Sequence, residues 1–275
     1  MSKTAAWLAA CSLVFAGPAG AAGLSTVERK MVARIDAGQE AQLSLLEQLV
    51  AINSGTMNLA GVEAVGRRLT PEFEALGFAV RWSPMAEAGR AGHLIATHKG
   101  SGKGRRMLLI GHLDTVFEPD SPFKGYVRNG DTITGPGTND MKGGIVIMLG
   151  ALQAMKAAGT LKDADITVVL TGDEERMGKP VEVARRDLVE AARASDLALD
   201  FEGLATENGA DMGSIARRSS NTWTLRVTAK PGHSSGIFSD AAGYGAIFEL
   251  TRILDAFREQ LREPNATYSV GLVLG

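Results

Sequence analysis

The sequence contains a single cysteine, Cys11, among its 275 residues. One thiol excludes an intrachain disulfide and a cluster of thiolate metal ligands, so any metal site must use His, Asp and Glu side chains. The chain also lacks a polybasic run, and its formal net charge is −2. This charge balance indicates no nucleic-acid partner. Hydrophobic residues make up 45% of the chain and charged residues 22%, so we expect an ordinary globular core.

The N-terminal segment has the features of a cleaved signal peptide. Lys3 supplies a short positive region, the apolar stretch 5–17 is too short to span a bilayer, and small residues follow at 19–21. We therefore interpret residues 1–22 as a signal peptide and expect a periplasmic or secreted mature chain without a transmembrane span. Lipoprotein anchoring at Cys11 is the alternative, but little apolar sequence precedes this cysteine, which favours the first interpretation.

Strand and helix patterns alternate through the middle of the chain. Apolar runs typical of buried parallel strands occur at 107–110, 166–170 and 197–199. Two further strands are predicted at 78–82 and 94–97. Helices with one apolar face are predicted at 25–51, 61–76 and 141–158. This alternation predicts an α/β layered fold.

The pattern changes after about residue 215. Residues 222–229 alternate between polar and apolar side chains like a half-buried strand, and 267–274 is predicted to be another strand. A helix is predicted between them, at 242–261. This β-α-β run indicates the start of a second domain.

Acidic and imidazole side chains follow each of the three apolar runs. They occur in Gly-His-Leu-Asp at 111–114, Gly-Asp-Glu-Glu at 172–175 and Asp-Phe-Glu at 200–202. Ligands of open α/β sheets bind beyond the carboxyl ends of the strands, so these side chains could bind a metal ion. His112 and Asp114 point the same way on an extended segment. One imidazole nitrogen could then bind metal while Asp114 accepts a hydrogen bond from the other.

A glycine-rich segment with the sequence GPGTNDMKGG occupies residues 135–144. It is not a P-loop, because Lys142 follows Met141 and precedes Gly143, whereas that motif requires Gly-Lys followed by Ser or Thr. Asp140 lies where a helix begins, so a helix-capping role competes with a metal-binding role. For the adjacent Glu174 and Glu175, one carboxylate could bind metal while the other acts as a general base.

The motifs at 112–116, 135–144 and 172–175, in this order, resemble the dinuclear zinc family of carboxypeptidase G, acetylornithine deacetylase, succinyl-diaminopimelate desuccinylase and aminoacylase. Gly-His-Ser at 232–234 is similar to the start of that family's lid or dimerisation domain. The resemblance covers about residues 25–275. It implies a three-layer α/β/α catalytic domain with an inserted, ferredoxin-like α+β lid, here incomplete.

The resemblance also implies the metal ligands and the cofactor. The implied ligands of two zinc ions are His112, Asp140, Glu175 and Glu202, with Asp140 bridging both ions. Asp200 is the alternative to Glu202, since it is acidic and lies two residues away. Cobalt or manganese could substitute for zinc at such a site.

Three further residues receive catalytic roles from the resemblance. Glu174 would be the general base, and Asp114 would orient His112. His233 would reach the active site of a partner subunit and steady the oxyanion. The implied reaction is hydrolysis of an amide bond in an N-acyl amino acid or peptide, as in a carboxypeptidase, by a homodimer formed through the lid domain.

Arg217 and Arg218 could bind a substrate carboxylate, although a surface role is favoured.

One ligand that the resemblance requires is missing from the sequence. The family supplies a further histidine after the lid domain, and the chain has four histidines, of which His93 and His98 match no motif and are interpreted as structural or surface residues. We divide the chain into a signal peptide at 1–22, a metal-binding catalytic domain at 23–214 and the start of a lid domain at 215–275. The hypothesis is that a longer parent protein is active and the 275-residue chain is not. The alternatives are an inactive truncated fragment and a non-catalytic binding protein on the same scaffold.

Overall fold

The computed structural model describes residues 23–216 and 219–274. The interpreted signal peptide at 1–22 and the pair Arg217 and Arg218 therefore lie outside the described residues. The chain divides into two compact units, the first ending at Gly213 and the second beginning at Ser214.

The helices of the first unit are α1 (Thr26–Ala51), α2 (Leu59–Leu76), α3 (Lys142–Ala158), α4 (Val181–Ala184) and α5 (Arg186–Arg193). A capping box between Ser25 and Glu28 begins α1. Gly77 ends α2 in the left-handed region, at φ 96°, where glycine is favoured. The three helices expected from periodicity are confirmed to within two residues at each end, whereas α4 and α5 were not predicted.

The strands of the first unit are β1 (Ala79–Met85), β2 (Arg90–His98), β3 (Arg106–His112), β4 (Val127–Asn129), β5 (Thr132–Thr134), β6 (Asp165–Thr171), β7 (Leu197–Asp200), β8 (Ala205–Glu207) and β9 (Ala210–Met212). Five of them form one mixed sheet in the order β1-β2-β6-β3-β7. Strand β3 pairs in parallel with β6 and β7, as expected from the three apolar runs. The pairs β4-β5 and β8-β9 form separate two-stranded sheets, which were not predicted.

Helices cover both faces of the five-stranded sheet. The main core cluster joins residues of β2, β3 and β6, among them Leu94, Leu109 and Val168, to the buried faces of α1, α2 and α3. On the opposite face Ile95, Leu108 and Val169 form a smaller cluster against α5. The predicted α/β layered fold is thus confirmed.

The predicted burial of the third apolar run is wrong. Leu197 and Leu199 in β7 are each 41% exposed. The reason is position, since β7 is an edge strand that, among the described residues, pairs with β3 on one side only.

In the second unit, α6 (Ala246–Gln260) confirms the predicted helix. The strands predicted at 222–229 and 267–274 are wrong, because neither segment forms a strand in the structure. An alternating pattern stabilises a strand only when a neighbouring strand pairs with it and its apolar face is covered. Trp223, on the apolar side of this pattern, is 88% exposed. Assignment of residues 215–275 to a lid domain stays a prediction.

No helix among the described residues combines the length and apolar character needed to cross a bilayer.

Candidate metal centre

The carboxyl ends of the three parallel strands bring the polar motifs together in the first unit. His112 is the last residue of β3, Glu174 and Glu175 follow β6, and Glu202 follows β7. Asp140 lies two residues before the start of α3. Segments distant in sequence thus meet at one edge of the sheet, as expected for parallel strands.

His112, Asp140 and Glu202 form a group whose ligand atoms all lie within 4.8 Å of one another. His112 Nε2 is 2.9 Å from Asp140 Oδ1 and 3.3 Å from Glu202 Oε1. The His112 side chain is 1% exposed, whereas that of Asp140 is 57% exposed. The imidazole side of the group is therefore buried in the protein, and the Asp140 side is accessible to solvent. One imidazole nitrogen and two carboxylate oxygens suit a divalent ion such as Zn²⁺, and these residues therefore fit a metal.

The second nitrogen of His112 is held by Asp114. Nδ1 lies 3.0 Å from the Asp114 main-chain carbonyl oxygen and 3.4 Å from the Asp114 carboxylate. Both are acceptors, which assigns the proton to Nδ1 and leaves Nε2 facing Asp140 and Glu202. Asp114 thus contacts His112 as expected, but its carbonyl group is the nearer acceptor.

The surroundings of His112 favour the protonated, positively charged form of its imidazole ring. Burial lowers the pKa of His112, but hydrogen bonds and charge interactions with Asp114 and Glu202 outweigh burial and raise this pKa to about 11. In the metal-free protein the ring is therefore protonated at neutral pH. The proton on Nε2 then lies between carboxylates, where a metal ion would bind.

We expect metal binding to be strongly dependent on pH. Metal must displace the His112 proton, so the apparent affinity for zinc should rise with pH, by about tenfold per unit between pH 6 and 8. Calorimetry in buffers of different ionisation enthalpy measures both this slope and the number of protons released. An affinity that does not change with pH would contradict the displacement of a proton from His112 by the metal ion.

The carboxylate of Asp114 is fully buried and accepts three hydrogen bonds besides its contact with His112. Its donors are the Thr56 hydroxyl at 2.7 Å and the backbone N–H groups of Glu174 at 3.0 Å and Glu175 at 3.1 Å. Burial raises the pKa of Asp114, but hydrogen bonds, with His112 the largest contributor, lower it overall. An ionised Asp114 therefore holds the backbone of both glutamates in place.

Glu174 and Glu175 have carboxyl groups that bind protons more tightly than usual. Burial is the largest cause of the raised pKa of Glu174. Burial, followed by the charge of Asp140, raises the pKa of Glu175 to about 7. A group with a pKa near neutrality can accept and donate protons, and a cation nearby would remove the repulsion from Asp140. Neither glutamate belongs to the three-residue ligand group, so a ligand role for Glu175 stays a prediction.

The structure distinguishes between several of the roles left open by the sequence. The N-cap of α3 is Met141, so the capping role considered for Asp140 is wrong. Glu202, and not Asp200, belongs to the group of ligand atoms around His112. His233 lies in the second unit, where its Nδ1 is 2.9 Å from Ser235 Oγ, and its catalytic role stays a prediction.

His93 and His98 have structural contacts. A ring nitrogen of each lies 2.9 Å from a main-chain carbonyl oxygen, that of Ala184 for His93 and that of Ala164 for His98. Neither belongs to the ligand group in the described part of the chain, in agreement with the structural interpretation.

Sequence reasoning missed the role of Lys142 beside this centre. Its side chain is buried, and Nζ donates to the carbonyl oxygens of Leu49 at 2.9 Å and Ile52 at 2.8 Å, at the end of α1. Burial lowers the pKa of Lys142 to about 8. A lysine in the first turn of a helix interacts unfavourably with the helix dipole. The position of Lys142 at the start of α3 could therefore have indicated that its ammonium group binds acceptors outside this helix.

Comparison with known proteins agrees with this geometry. The family model described as Peptidase family M20/M25/M40 matches residues 108–261, which include His112, Asp140, Glu174, Glu175 and Glu202. This match extends over more than half of the chain. The chain belongs to peptidase family M20/M25/M40.

Named relatives of this M20 chain are hydrolases. Carboxypeptidase G2 of Pseudomonas sp. (strain RS-16) is 32% identical over 218 residues, which are 78% of this chain and 50% of the relative. A succinyl-diaminopimelate desuccinylase of Novosphingobium aromaticivorans is 34% identical over 168 residues, 58% of this chain and 43% of the relative. The chain thus spans about half the length of the curated relatives it matches.

The fold of this chain is also found among solved structures. Human carnosine dipeptidase 1 superposes with a TM-score of 0.55 at 18% sequence identity, covering 64% of this chain and 41% of that structure. At this identity the likeness shows the fold alone, and it agrees with the mixed sheet covered by helices on both faces.

Proposed function

We propose that this M20 protein is a metal-dependent hydrolase that cleaves the amide bond of a peptide or an N-acyl amino acid. The observation that carries the proposal is the group of His112, Asp140 and Glu202, at the edge of the sheet where Glu174 follows β6. The names of the relatives, a carboxypeptidase and a desuccinylase, support hydrolysis of a bond to an amino acid.

In the proposed reaction each described residue has a physical task. His112, Asp140 and Glu202 would hold the ion, with Nε2 made available by the contact of Nδ1 with Asp114. A bound divalent ion would supply polarisation of the scissile carbonyl and would lower the pKa of a water molecule. Glu174, with its raised pKa, would take a proton from water and pass it to the leaving amine.

The Glu174→Gln variant tests this proposal. Since glutamine cannot accept the proton, turnover should fall by about 10²–10⁴-fold while zinc affinity is unchanged. Release of amino acids from N-acyl amino acids and dipeptides by the zinc-loaded chain and the variant measures the effect. Turnover that needs no metal, or that persists at full rate in Glu174→Gln, would overturn the proposed function.

The same assay tests the hypothesis that a longer parent protein is active and the 275-residue chain is not. That hypothesis predicts no turnover by the 275-residue chain. Zinc-dependent turnover that is lost in Glu174→Gln would contradict it and would support the proposed function.

We further propose zinc as the natural ion, with Glu175 contributing to a second zinc site beside Asp140. Elemental analysis of the purified chain tests the identity and number of the ions. A periplasmic or secreted location and a homodimer formed through residues 215–275 are part of the same proposal. The N-terminal residue of the mature protein and its mass in solution test them.

A further inference from the structure

The loop between α1 and α2 lies against the segment that follows β3. Thr115 N–H donates to the Ser54 carbonyl oxygen at 2.9 Å, and Thr56 N–H donates to the Thr115 carbonyl oxygen at 3.2 Å. Gly55 and Thr115 form an isolated parallel bridge at this place. Two backbone hydrogen bonds thus fix the loop beside Asp114, although Thr56 and Asp114 are 58 residues apart in the sequence.

The Thr56 side chain is buried and its hydroxyl donates to Asp114 Oδ2 at 2.7 Å. The same oxygen accepts from the N–H of Glu175, while Oδ1 accepts from the N–H of Glu174. Thr56 thus supplies the hydroxyl donor to this carboxylate, beside the backbone N–H groups of Glu174 and Glu175 and the contact with His112 Nδ1 at 3.4 Å. Replacement of Thr56 would leave the Asp114 carboxylate with one contact fewer to fix its orientation toward these two backbone groups.

We propose that Thr56 is a positioning residue of the metal centre, which acts through the carboxylate of Asp114 on the backbone of Glu174 and Glu175. The inference rests on the proposed function, because it assigns Thr56 a purpose within the same site. The Thr56 hydroxyl contacts Asp114, and Asp114 in turn contacts His112, so we expect the effect of Thr56 on metal binding to pass through Asp114.

The loop contains a matched control for this proposal. Ser54 is buried two residues before Thr56, and its hydroxyl has no hydrogen-bond partner among the described residues. Ser54→Ala therefore removes a buried hydroxyl from the same loop without removing a contact to Asp114.

The experiment compares Thr56→Val, Thr56→Ser and Ser54→Ala with the unmodified chain. Zinc dissociation constants are measured by competition with a chelating dye, and thermal stability is measured on metal-free protein. Thr56→Val preserves shape but lacks the hydroxyl, and should weaken zinc binding about tenfold. Thr56→Ser keeps the hydroxyl and loses a buried methyl group, so it should lower Tm while zinc affinity is preserved. Ser54→Ala should bind zinc like the unmodified chain.

A second measurement does not depend on zinc. Amide hydrogen exchange of Glu174 and Glu175 in the metal-free chain should be about fivefold faster in Thr56→Val than in Ser54→Ala, because the shared acceptor is less well held. Equal zinc affinity and equal exchange in Thr56→Val and the unmodified chain would overturn the inference. So would a loss of zinc affinity in Ser54→Ala as large as in Thr56→Val. Failure of the unmodified chain to bind zinc would instead overturn the proposed function, and the exchange rates would still decide the role of Thr56.

Discussion

Replacement of His112 by asparagine is expected to lower the affinity of the chain for zinc by at least about a hundredfold. Zinc binding free energies of about 10–16 kcal/mol are shared among about four ligands, so one ligand accounts for about 3 kcal/mol. His112 is the member of the group that contacts both carboxylates, at 2.9 Å and 3.3 Å from Nε2. Asparagine is too short to place a donor atom at the same position. Dye competition measures the loss directly and does not require turnover.

The chain supplies a matched control in His98. This histidine is half-buried and its Nδ1 lies 2.9 Å from the Ala164 carbonyl oxygen, in a hydrogen bond unconnected with the ligand group. His98→Asn should destabilise the fold slightly and leave zinc affinity unchanged. If both variants lost zinc equally, the loss would reflect damage to the fold, and His112 would no longer be supported as a ligand.

The sequence predicted those features that depend on local pattern. Periodicity located α1, α2 and α3, because the buried face of a helix repeats within one segment. The polar motifs after β3, β6 and β7 predicted the position of the site, since parallel strands bring their carboxyl ends to one edge.

Contacts between distant segments could not be predicted in the same way. Lys142 binds carbonyl groups 93 and 90 residues away, and Thr56 binds Asp114 across 58 residues. Nothing in the local pattern of either residue specifies its partner. The alternation at 222–229 shows the converse, because a strand pattern without a paired strand does not establish a strand.

Replacement of Asp173 by alanine is expected to be among the most destabilising single changes in the first unit. The Asp173 carboxylate is fully buried, 2.6 Å from Arg185 Nη1, and accepts the Gly178 N–H at 2.7 Å. Breaking a buried pair leaves an uncompensated charge and costs about 3–5 kcal/mol. For a unit of this size the change should lower Tm by roughly 10 °C. Thermal or urea denaturation of the metal-free chain measures it.

An exposed ion pair in the same unit provides the comparison. Arg67 and Glu63 lie 2.7 Å apart on α2, with side chains 63% and 48% exposed. Glu63→Ala should cost about 0.5 kcal/mol or less, because water solvates the remaining arginine. Similar losses in Glu63→Ala and Asp173→Ala would show that burial does not set the cost of breaking these ion pairs.

The cost of Asp173→Ala can be separated into charge and packing with a double variant. If the unpaired arginine causes most of the loss, Arg185→Met in the Asp173→Ala background should recover part of it. The Arg185 side chain is 20% exposed and can partly reach water, so we expect a coupling energy of about 1–3 kcal/mol. A double variant as unstable as the sum of the two single variants would instead assign the loss to the Gly178 hydrogen bond and to packing. Asp173 directly precedes Glu174, so either result also tells how much the buried ion pair stabilises the segment that carries the proposed general base.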